Sequence, residues 1–175
     1  MHFLATQQGF RDQPLKRFLL GVGGFKCLNT GWPLMNDHAT PQISTDVQVM
    51  FFDTDCAGVV HNLAYLRFIE VNRTLLAEDL GMPLVNMADR GTFPVVVRTE
   101  IDYKRPAKLG DRLVVEGRLA LIARLRFWVE FEINRPIDGA LIAQSRQTLC
   151  VVQLPGGKPV PLPADWMSRF AHLRR

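Results

Sequence analysis

The chain has 175 residues, of which 47% are hydrophobic and 22% charged, and its formal net charge is +4. This apolar share excludes a largely disordered chain, the length favours one domain, and no apolar run reaches the roughly 18 residues of a membrane span. Residues 41–154 hold 13 basic and 14 acidic side chains, so the basic excess lies at the chain ends and no nucleic-acid partner is predicted. Residues 1–40 show no sustained hydrophobic period and are interpreted as an N-terminal extension of uncertain structure. Met35 is a candidate alternative start, in which case residues 1–34 would not belong to the native protein.

Regular patterns begin at Ile43. Apolar and polar residues alternate over 46–51, which predicts a half-buried strand. The buried face of that strand is expected to hold Val47, Val49 and Phe51. A helix is predicted over 62–80, with Asn62 as its N-cap and Gly81 as the residue that ends it. Its apolar stripe is expected to comprise Leu66, Ile69, Leu76 and Leu80, with Arg73 interrupting.

The rest of the chain has strand patterns. Strands are predicted over 94–103, 112–122, 127–134 and 141–153, and Asp138-Gly139 is a hairpin signal. Consecutive strands joined by short turns favour an antiparallel sheet, and the amphipathic helix must cover one of its faces. The predicted fold class is α+β, with the sheet curled round one long central helix. Residues 41–165 form the predicted domain, and residues 166–175 a solvated basic tail.

Chemically active side chains concentrate just before the helix. Asp53, Asp55, Cys56 and His61 lie within ten residues that end at Asn62. A helix N-terminus offers backbone N–H groups without intrahelical partners and a partial positive charge, which together stabilise an oxyanion. A nearby carboxylate can then attack a carbonyl carbon or activate water against it.

Several other interpretations of this segment were weighed. Asp-x-Asp before a helix is common as simple loop capping, and a calcium loop is excluded because the later oxygen ligands are missing. A Cys56–His61 dyad is the second enzymatic interpretation. The odd cysteine set favours reduced thiols in a cytoplasmic protein and consists of Cys27, Cys56 and Cys150. The four histidines are too dispersed for a metal site and are His2, His38, His61 and His172.

The segment FDTDCAGVVHNLAYLRFIE, residues 52–70, resembles the signature of the hotdog-fold thioesterases. It is most similar to the 4-hydroxybenzoyl-CoA thioesterase branch and the acyl-CoA thioesterases linked to the Tol–Pal system. Their pattern is D-x-D-x-x-G-x-V, four residues and then an aromatic residue, and Val60 to Tyr65 keeps that spacing. The resemblance covers residues 44–163 and leaves out the N-terminal extension.

The resemblance implies a hotdog fold that forms homodimers or homotetramers by joining sheets, with active sites at the subunit interface. Asp55 matches the catalytic residue, acting as nucleophile or as general base through water. The backbone N–H near Asn62 would polarise the thioester carbonyl, and Gly58 would shape the loop. Val60, His61 and Tyr65 complete the candidate substrate-binding set, although Tyr65 is expected chiefly to pack in the core.

Three further expectations accompany this resemblance. Asp53 is expected to support the loop, and Glu70 to pair with Arg73 on the helix. Candidate cations for the nucleotide end of coenzyme A are Arg98, Lys104, Arg105, Arg124 and Arg126. Thioester hydrolysis needs only water, a carboxylate and oxyanion donors, so no cofactor or metal is predicted. The function predicted is therefore that of an acyl-CoA thioesterase, and the alternatives are a Cys/His hydrolase or a non-catalytic protein that binds acyl-CoA or acyl carrier protein.

Overall fold

The structure is a computed structural model that describes residues 40–83, 85, 87, 89 and 91–175. The expectations for the N-terminal extension and for a start at Met35 lie outside these residues. The described residues form a six-stranded sheet, a long helix and a short C-terminal helix. The strands are β1 (Gln42–Gln48), β2 (Thr92–Tyr103), β3 (Arg112–Ile122), β4 (Phe127–Arg135), β5 (Ala140–Gln153) and β6 (Lys158–Val160).

The strands pair in the order β1-β3-β4-β5-β2, and β6 pairs with β5. All of these pairs are antiparallel. The four strands predicted after the helix correspond to β2–β5, and Gly139 takes a φ of +65° in the predicted hairpin turn. The predicted α+β class, a sheet around one long helix, is therefore confirmed.

The central helix, α1 (Asn62–Asp79), lies against the sheet. Its buried apolar side chains are Ala64, Tyr65, Phe68, Ile69, Leu76 and Ala77. They join buried residues of β3, β4 and β5 in one core, where each large side chain contributes about 1.5–3 kcal/mol. Leu66, expected in the apolar stripe, is 37% exposed, because the buried face is centred on Tyr65, Phe68 and Asn72. None of the described helices is long and apolar enough to cross a membrane.

A buried amide fixes α1 to the sheet. Asn72 is fully buried, and its Nδ2 lies 2.9 Å from Val115 O, 3.1 Å from Ile43 O and 3.2 Å from Thr45 Oγ1. Gly117 on β3 faces this amide, and a Cβ there would overlap its oxygen. The glycine therefore allows the helix and the sheet to come close enough for these hydrogen bonds to form.

The structure corrects two sequence-based boundaries. The first is the end of β1, where Phe51 was expected on the buried face. Phe51 begins a 3₁₀ turn and is 80% exposed. The chain leaves the sheet at Val49 because Val49 exchanges backbone hydrogen bonds with Gly110 and Asp111 at 3.0 and 2.9 Å, and the Asp53 carboxylate then holds Met50 N–H.

The second correction concerns residues 166–175, which are not a solvated tail. They form a helix, α2 (Trp166–Arg169), and a 3₁₀ turn (Ala171–Leu173). Trp166 and Phe170 are buried in the core, and the Trp166 ring lies 5.4 Å from that of Phe127. Two aromatic residues four apart form one apolar face, which draws this basic segment onto the domain.

Candidate active site

The loop before α1 folds back on itself. Thr54 and Val60 form an antiparallel bridge, and Asp55 N–H donates to Val59 O at 2.9 Å. Gly58 closes the turn by donating to Asp55 O at 3.0 Å, and its φ of +72° is a conformation that favours glycine. This hairpin places the Asp55 backbone beside residues that lead directly into the helix.

Asp55 combines one fixed carboxylate oxygen with one open oxygen. The residue is exposed, and its Oδ1 accepts a hydrogen bond from Ala57 N–H at 2.8 Å. No hydrogen bond or ion pair within the described part of the chain uses Oδ2. A carboxylate held in this way has a defined orientation and an oxygen free to meet a substrate or a water molecule.

His61, and not Asn62, is the N-cap of α1. Its Nδ1 accepts from Ala64 N–H at 3.1 Å, so Nε2 carries the proton and lies 3.3 Å from Phe52 O. The helix begins at Asn62, the residue predicted as its cap, because the imidazole of the preceding residue performs the capping. Both ring nitrogens are engaged by the backbone, so the geometry is not that of a Cys56–His61 dyad.

The backbone N–H groups at the amino end of α1 differ in their hydrogen bonding. The Asn62 side chain accepts from Leu63 N–H at 3.0 Å, and Ala64 N–H is taken by His61. The Asn62 backbone N–H has no hydrogen-bond partner among the residues that the structure describes. Asn62 is exposed, so this donor and the positive end of the helix are available to an oxyanion.

The other aspartate of the loop has a different environment. Asp53 is 1% exposed, its Oδ2 accepts from Met50 N–H at 2.9 Å, and its Oδ1 pairs with Arg67. The Arg67 guanidinium also lies 5.0 Å from the ring centre of Phe52 and 5.2 Å from that of Phe68. Asp53 therefore joins the loop to the helix, in agreement with the supporting role expected for it.

Val60 and Tyr65 lie behind the exposed part of the loop. Val60 is buried, and its N–H donates to Ala107 O at 2.9 Å. Tyr65 is also buried, and its hydroxyl accepts from Ala107 N–H at 3.4 Å. Burial raises the pKa of Tyr65 above its ordinary value. Of the candidate residues, the structure thus groups Asp55, Gly58, His61 and Asn62 around the loop surface and places Val60 and Tyr65 in the core.

A second polar group lies farther along α1. Glu70 and Arg73 form the expected ion pair, and Arg73 also donates to Gln147 Oε1 at 2.6 Å. Gln147 in turn donates to Thr99 Oγ1 at 3.3 Å. Beside this series of hydrogen bonds is a cavity of about 70 Å³. Its apolar walls include Leu76, Leu80, Met82, Phe127, Val129 and Leu149. Sequence patterns missed this group, because strand register alone brings Gln147 and Thr99 together.

The predicted coenzyme A cations fall into two classes. Arg98 pairs with Glu100 at 2.8 Å, and Lys104 pairs with Asp102 at 3.2 Å. The exposed side chains without an ion-pair partner in the described structure are Arg105, Arg124 and Arg126. Arg105 lies two residues from Ala107, which bonds to Val60 of the loop before α1, whereas the other two lie in the turn between β3 and β4.

Comparison with known proteins identifies the family. A family profile described as the Thioesterase-like superfamily matches residues 49–170. The chain belongs to the thioesterase-like superfamily. The match spans α1, strands β2 to β6 and most of the C-terminal segment, and it includes the loop around Asp55. The prediction of a thioester hydrolase is confirmed at the level of this superfamily.

Individual proteins named as thioester hydrolases are also similar to this chain in sequence and structure. A 1,4-dihydroxy-2-naphthoyl-CoA hydrolase from Synechocystis is 31% identical over 128 residues, covering 72% of this chain and 92% of that protein. The corresponding hydrolase from Thermosynechococcus vestitus is 34% identical over 129 residues, covering 72% and 86%. The crystal structure of a 1,4-dihydroxy-2-naphthoyl-CoA thioesterase from Synechocystis superposes with a TM-score of 0.67 at 28% identity, covering 75% of this chain and 97% of that one. The hotdog fold is therefore confirmed.

Proposed function

We propose that this thioesterase-like protein hydrolyses acyl-CoA thioesters to a free carboxylic acid and coenzyme A. The observation that carries the proposal is that one loop presents both an exposed, oriented Asp55 carboxylate and, at the amino end of α1, an Asn62 N–H with no hydrogen-bond partner among the described residues. This combination supplies a nucleophile or base together with an oxyanion donor. Both groups lie within the segment matched by the family profile.

The reaction follows from these two groups. The thioester carbonyl oxygen would accept a hydrogen bond from Asn62 N–H, which stabilises the charge that develops there by about 3–4 kcal/mol. Asp55 would either attack the carbonyl carbon, forming an anhydride that water then opens, or take a proton from the attacking water. In both routes the C–S bond breaks and coenzyme A leaves as a thiolate that takes up a proton. We leave the two routes open.

The substrate proposed first is an aromatic acyl-CoA that carries hydroxyl groups. The support comes from the relatives from Synechocystis and Thermosynechococcus vestitus, which are named 1,4-dihydroxy-2-naphthoyl-CoA hydrolases. 4-Hydroxybenzoyl-CoA, suggested by the residue pattern, is the second aromatic candidate. Short, medium and long aliphatic acyl-CoAs complete the panel and test the aliphatic alternative.

The assembly proposed is a homodimer joined through β2. This strand is 12 residues long and pairs on one side, with β5, among the described strands. Its free edge carries the exposed side chains Val96 and Val97, at 39% and 51%. A long, partly apolar edge is a ready template for pairing with a second copy. A homotetramer built from two such dimers is the alternative, and sedimentation analysis separates the two.

Arg105 is proposed as a contact for the phosphates of coenzyme A. It is exposed, has no ion-pair partner in the described part of the chain, and precedes Ala107, which bonds to Val60. Arg124 and Arg126 precede Phe127, which packs near the carboxyl half of α1. At 1.5 Å per residue the 18-residue helix is about 27 Å long, so Arg124 and Arg126 lie toward the end of α1 opposite the loop. They would therefore serve an active site shared with a partner subunit.

The test is release of free coenzyme A thiol from the acyl-CoA panel by the wild type, Asp55→Asn and Cys56→Ser. We expect Asp55→Asn to lower kcat by about 10²- to 10⁴-fold, because the lost group acts directly on the reacting atoms. Its melting temperature and its affinity for coenzyme A should stay unchanged. Cys56→Ser should retain the full rate.

Three outcomes would contradict the proposal. An Asp55→Asn variant with full activity would remove Asp55 from the mechanism. Loss of activity in Cys56→Ser alone would favour the Cys/His hydrolase. Saturable binding of acyl-CoA by the wild type with no turnover of any panel member would favour a binding protein.

A further inference from the structure

The segment that follows β2 links the catalytic loop to the rest of the domain. Ala107 O accepts from Val60 N–H at 2.9 Å, and Lys108 forms an antiparallel bridge with Val59. Ala107 is fully buried, and its own N–H donates to the Tyr65 hydroxyl at 3.4 Å. Since Val60 immediately precedes the N-cap His61, the position of this segment sets where α1 begins. We call residues 106–111 the support segment.

The support segment is held by the end of β1 and by a guanidinium. Val49 exchanges backbone hydrogen bonds with Gly110 and Asp111 at 3.0 and 2.9 Å, and Arg135 supplies the side-chain contact. Arg135, the last residue of β4, places NH1 2.8 Å from Asp111 Oδ2 and 3.5 Å from Pro106 O. The Asp111 Oδ2 atom also accepts from Lys108 N–H at 2.9 Å, and Asp111 N–H returns a bond to Lys108 O at 3.0 Å. Arg135 therefore binds a turn that is already closed by its own hydrogen bonds. Because these bonds join Asp111 to Lys108, a displacement of Asp111 also displaces Lys108.

The other side of the same guanidinium binds the hairpin between β4 and β5. Arg135 NH2 lies 2.8 Å from Asp138 Oδ2, and its Nε lies 3.1 Å from Asp138 Oδ1. Asp138 Oδ1 also accepts from Ala140 N–H at 3.2 Å. Apart from Arg135, this carboxylate therefore contacts the hairpin and not the support segment. The Arg135 side chain is 18% exposed, and its planar fork satisfies both carboxylates at once.

We propose that Arg135 is a positioning residue for the active site, acting through Asp111 and the support segment on the Asn62 N–H. The chain of contacts runs from Arg135 to Asp111, from Asp111 to Lys108, and from Ala107 and Lys108 to Val60 and Val59. Each link is a direct contact between described residues. The kinetic part of this inference rests on the proposed function, whereas the structural part does not.

The effect expected is on the rate and not on the binding of substrate. A misplacement of about 1 Å at a reacting group can lower a rate by roughly 10²-fold, and loss of one support would move the loop by less than that. Among the described residues, the hydrogen bonds of the Arg135 side chain go to Asp111, Pro106 O and Asp138, and none goes to Asp55 or Asn62. The Michaelis constant should therefore change far less than kcat.

The experiment compares Arg135→Gln and Asp111→Asn with the matched control Asp138→Asn. All three remove an ion pair of the same guanidinium, but Asp138→Asn leaves the Asp111 contact intact. Amide hydrogen exchange of a peptide covering residues 55–64 reports on the Val60 hydrogen bond whether or not the protein is an enzyme. We expect faster exchange in Arg135→Gln and Asp111→Asn, and wild-type exchange in Asp138→Asn.

Kinetics on the best acyl-CoA of the panel give the second readout. Arg135→Gln and Asp111→Asn should each lower kcat about tenfold with little change in KM, since the displacement is a fraction of that which costs 10²-fold. The double variant should be no slower than either single variant, because both act through one contact. Arg135→Lys, which can still reach Asp111, should recover most of the rate, and Asp111→Asn carries the comparison with Asp138→Asn if Arg135→Gln fails to fold.

The inference is overturned if Asp138→Asn changes exchange and kcat as much as Arg135→Gln does, since the effect would then be general destabilisation. It is also overturned if exchange of residues 55–64 stays at the wild-type rate in both Arg135→Gln and Asp111→Asn. If the wild type turns over no thioester, the proposed function fails, and the exchange data still decide whether Arg135 positions the loop.

Discussion

The two ends of α1 have opposite chemistry. At the amino end, Asp55 and Asn62 are exposed, and within the described structure the Asn62 N–H has no partner. In the carboxyl half, Leu76 and Leu80 are buried, and Gly81 turns the chain with a φ of +78°. The amino end therefore presents polar groups to solvent, where a ligand can reach them, whereas the side chains named in the carboxyl half pack inside the protein.

This contrast places the groups proposed for activity and the side chains that stabilise the fold on separate parts of one helix. Side chains that stabilise α1 lie on its buried face, which continues almost to the amino end through Tyr65 and Phe68. The groups proposed to act on a thioester lie on the first turn of α1 and on the loop that precedes it. A variant of either set should therefore move one property and spare the other, and the following predictions test that division.

The largest change in stability is expected from Leu76→Ala. Leu76 is fully buried and borders the cavity beside β4 and β5, so truncation enlarges an existing void. We expect the free energy of unfolding, measured in urea, to fall by about 2–5 kcal/mol. The kcat at a temperature where the variant remains folded should stay near that of the wild type.

Leu63→Ala is the matched control for Leu76→Ala, because Leu63 lies on the same helix but is 65% exposed. Its unfolding free energy should change by no more than about 0.5 kcal/mol. A Leu76→Ala variant that stays folded but loses the rate as strongly as Asp55→Asn would show that the two ends of α1 are not independent.

The next effect in size is expected from Asp53→Asn. The buried carboxylate holds Met50 N–H and Arg67, and an amide cannot satisfy both as well. We expect a loss of roughly 1.5–3 kcal/mol in unfolding free energy, the usual range for a hydrogen bond to a charged group. Asp55→Asn, two residues later, should leave the unfolding free energy unchanged and abolish most turnover. If Asp53→Asn instead abolished turnover and Asp55→Asn instead lowered the unfolding free energy, Asp53 would be the residue that acts on the thioester and Asp55 the one that supports the loop.

The sequence predicted those features that depend on local pattern. Strand β3 was predicted with its observed bounds, Gly81 ends the helix as expected, and the segment around Asp55 was singled out from its residue types alone. The errors arose where tertiary contacts override the pattern. Phe51 continues the alternation of β1, but its neighbours bind the turn at Gly110 and Asp111.

The residues that sequence analysis missed are joined only by strand register. Arg135 and Asp111 are 24 residues apart, and Arg73 and Gln147 are 74 apart. No periodicity in either region relates them, because each pair meets only after β3, β4 and β5 are aligned. His61 as the N-cap was missed for a different reason, since Asn is the commoner capping residue and stands directly beside it.

A smaller effect is expected from His61→Ala. Removal of the imidazole leaves Ala64 N–H without its side-chain cap, and loss of a cap costs about 1 kcal/mol. His61→Asn should keep stability near that of the wild type, since the Asn side chain can accept the same hydrogen bond. Urea denaturation of the two variants gives the comparison. Equal losses in both would mean that the contact of Nε2 with Phe52 O, and not the cap, is what stabilises this end.

The smallest effect concerns the buried side of the amino end and appears only at alkaline pH. Burial disfavours the charged phenolate and raises the pKa of Tyr65 above 10.0, with the Ala107 hydrogen bond acting in the opposite direction. A raised folded-state pKa means that the stabilisation is complete below the unfolded value of about 10 and is lost as the pH rises through the folded value. The chain has two tyrosines, so Tyr103→Phe leaves Tyr65 as the only one that titrates.

In Tyr103→Phe, the single tyrosinate absorbance transition should therefore have its midpoint above pH 10, and the urea midpoint should fall with it. Tyr65→Phe, with no phenol at that position, should lack this alkaline loss. A transition at the ordinary value would mean that water reaches Tyr65 from the loop side. Water would then reach the packed residues between the exposed loop at Asp55 and the core. The amino end of α1, proposed to stabilise the oxyanion, would also be more hydrated. An oxyanion donor acts most strongly where water is excluded, so the proposed mechanism would be weakened.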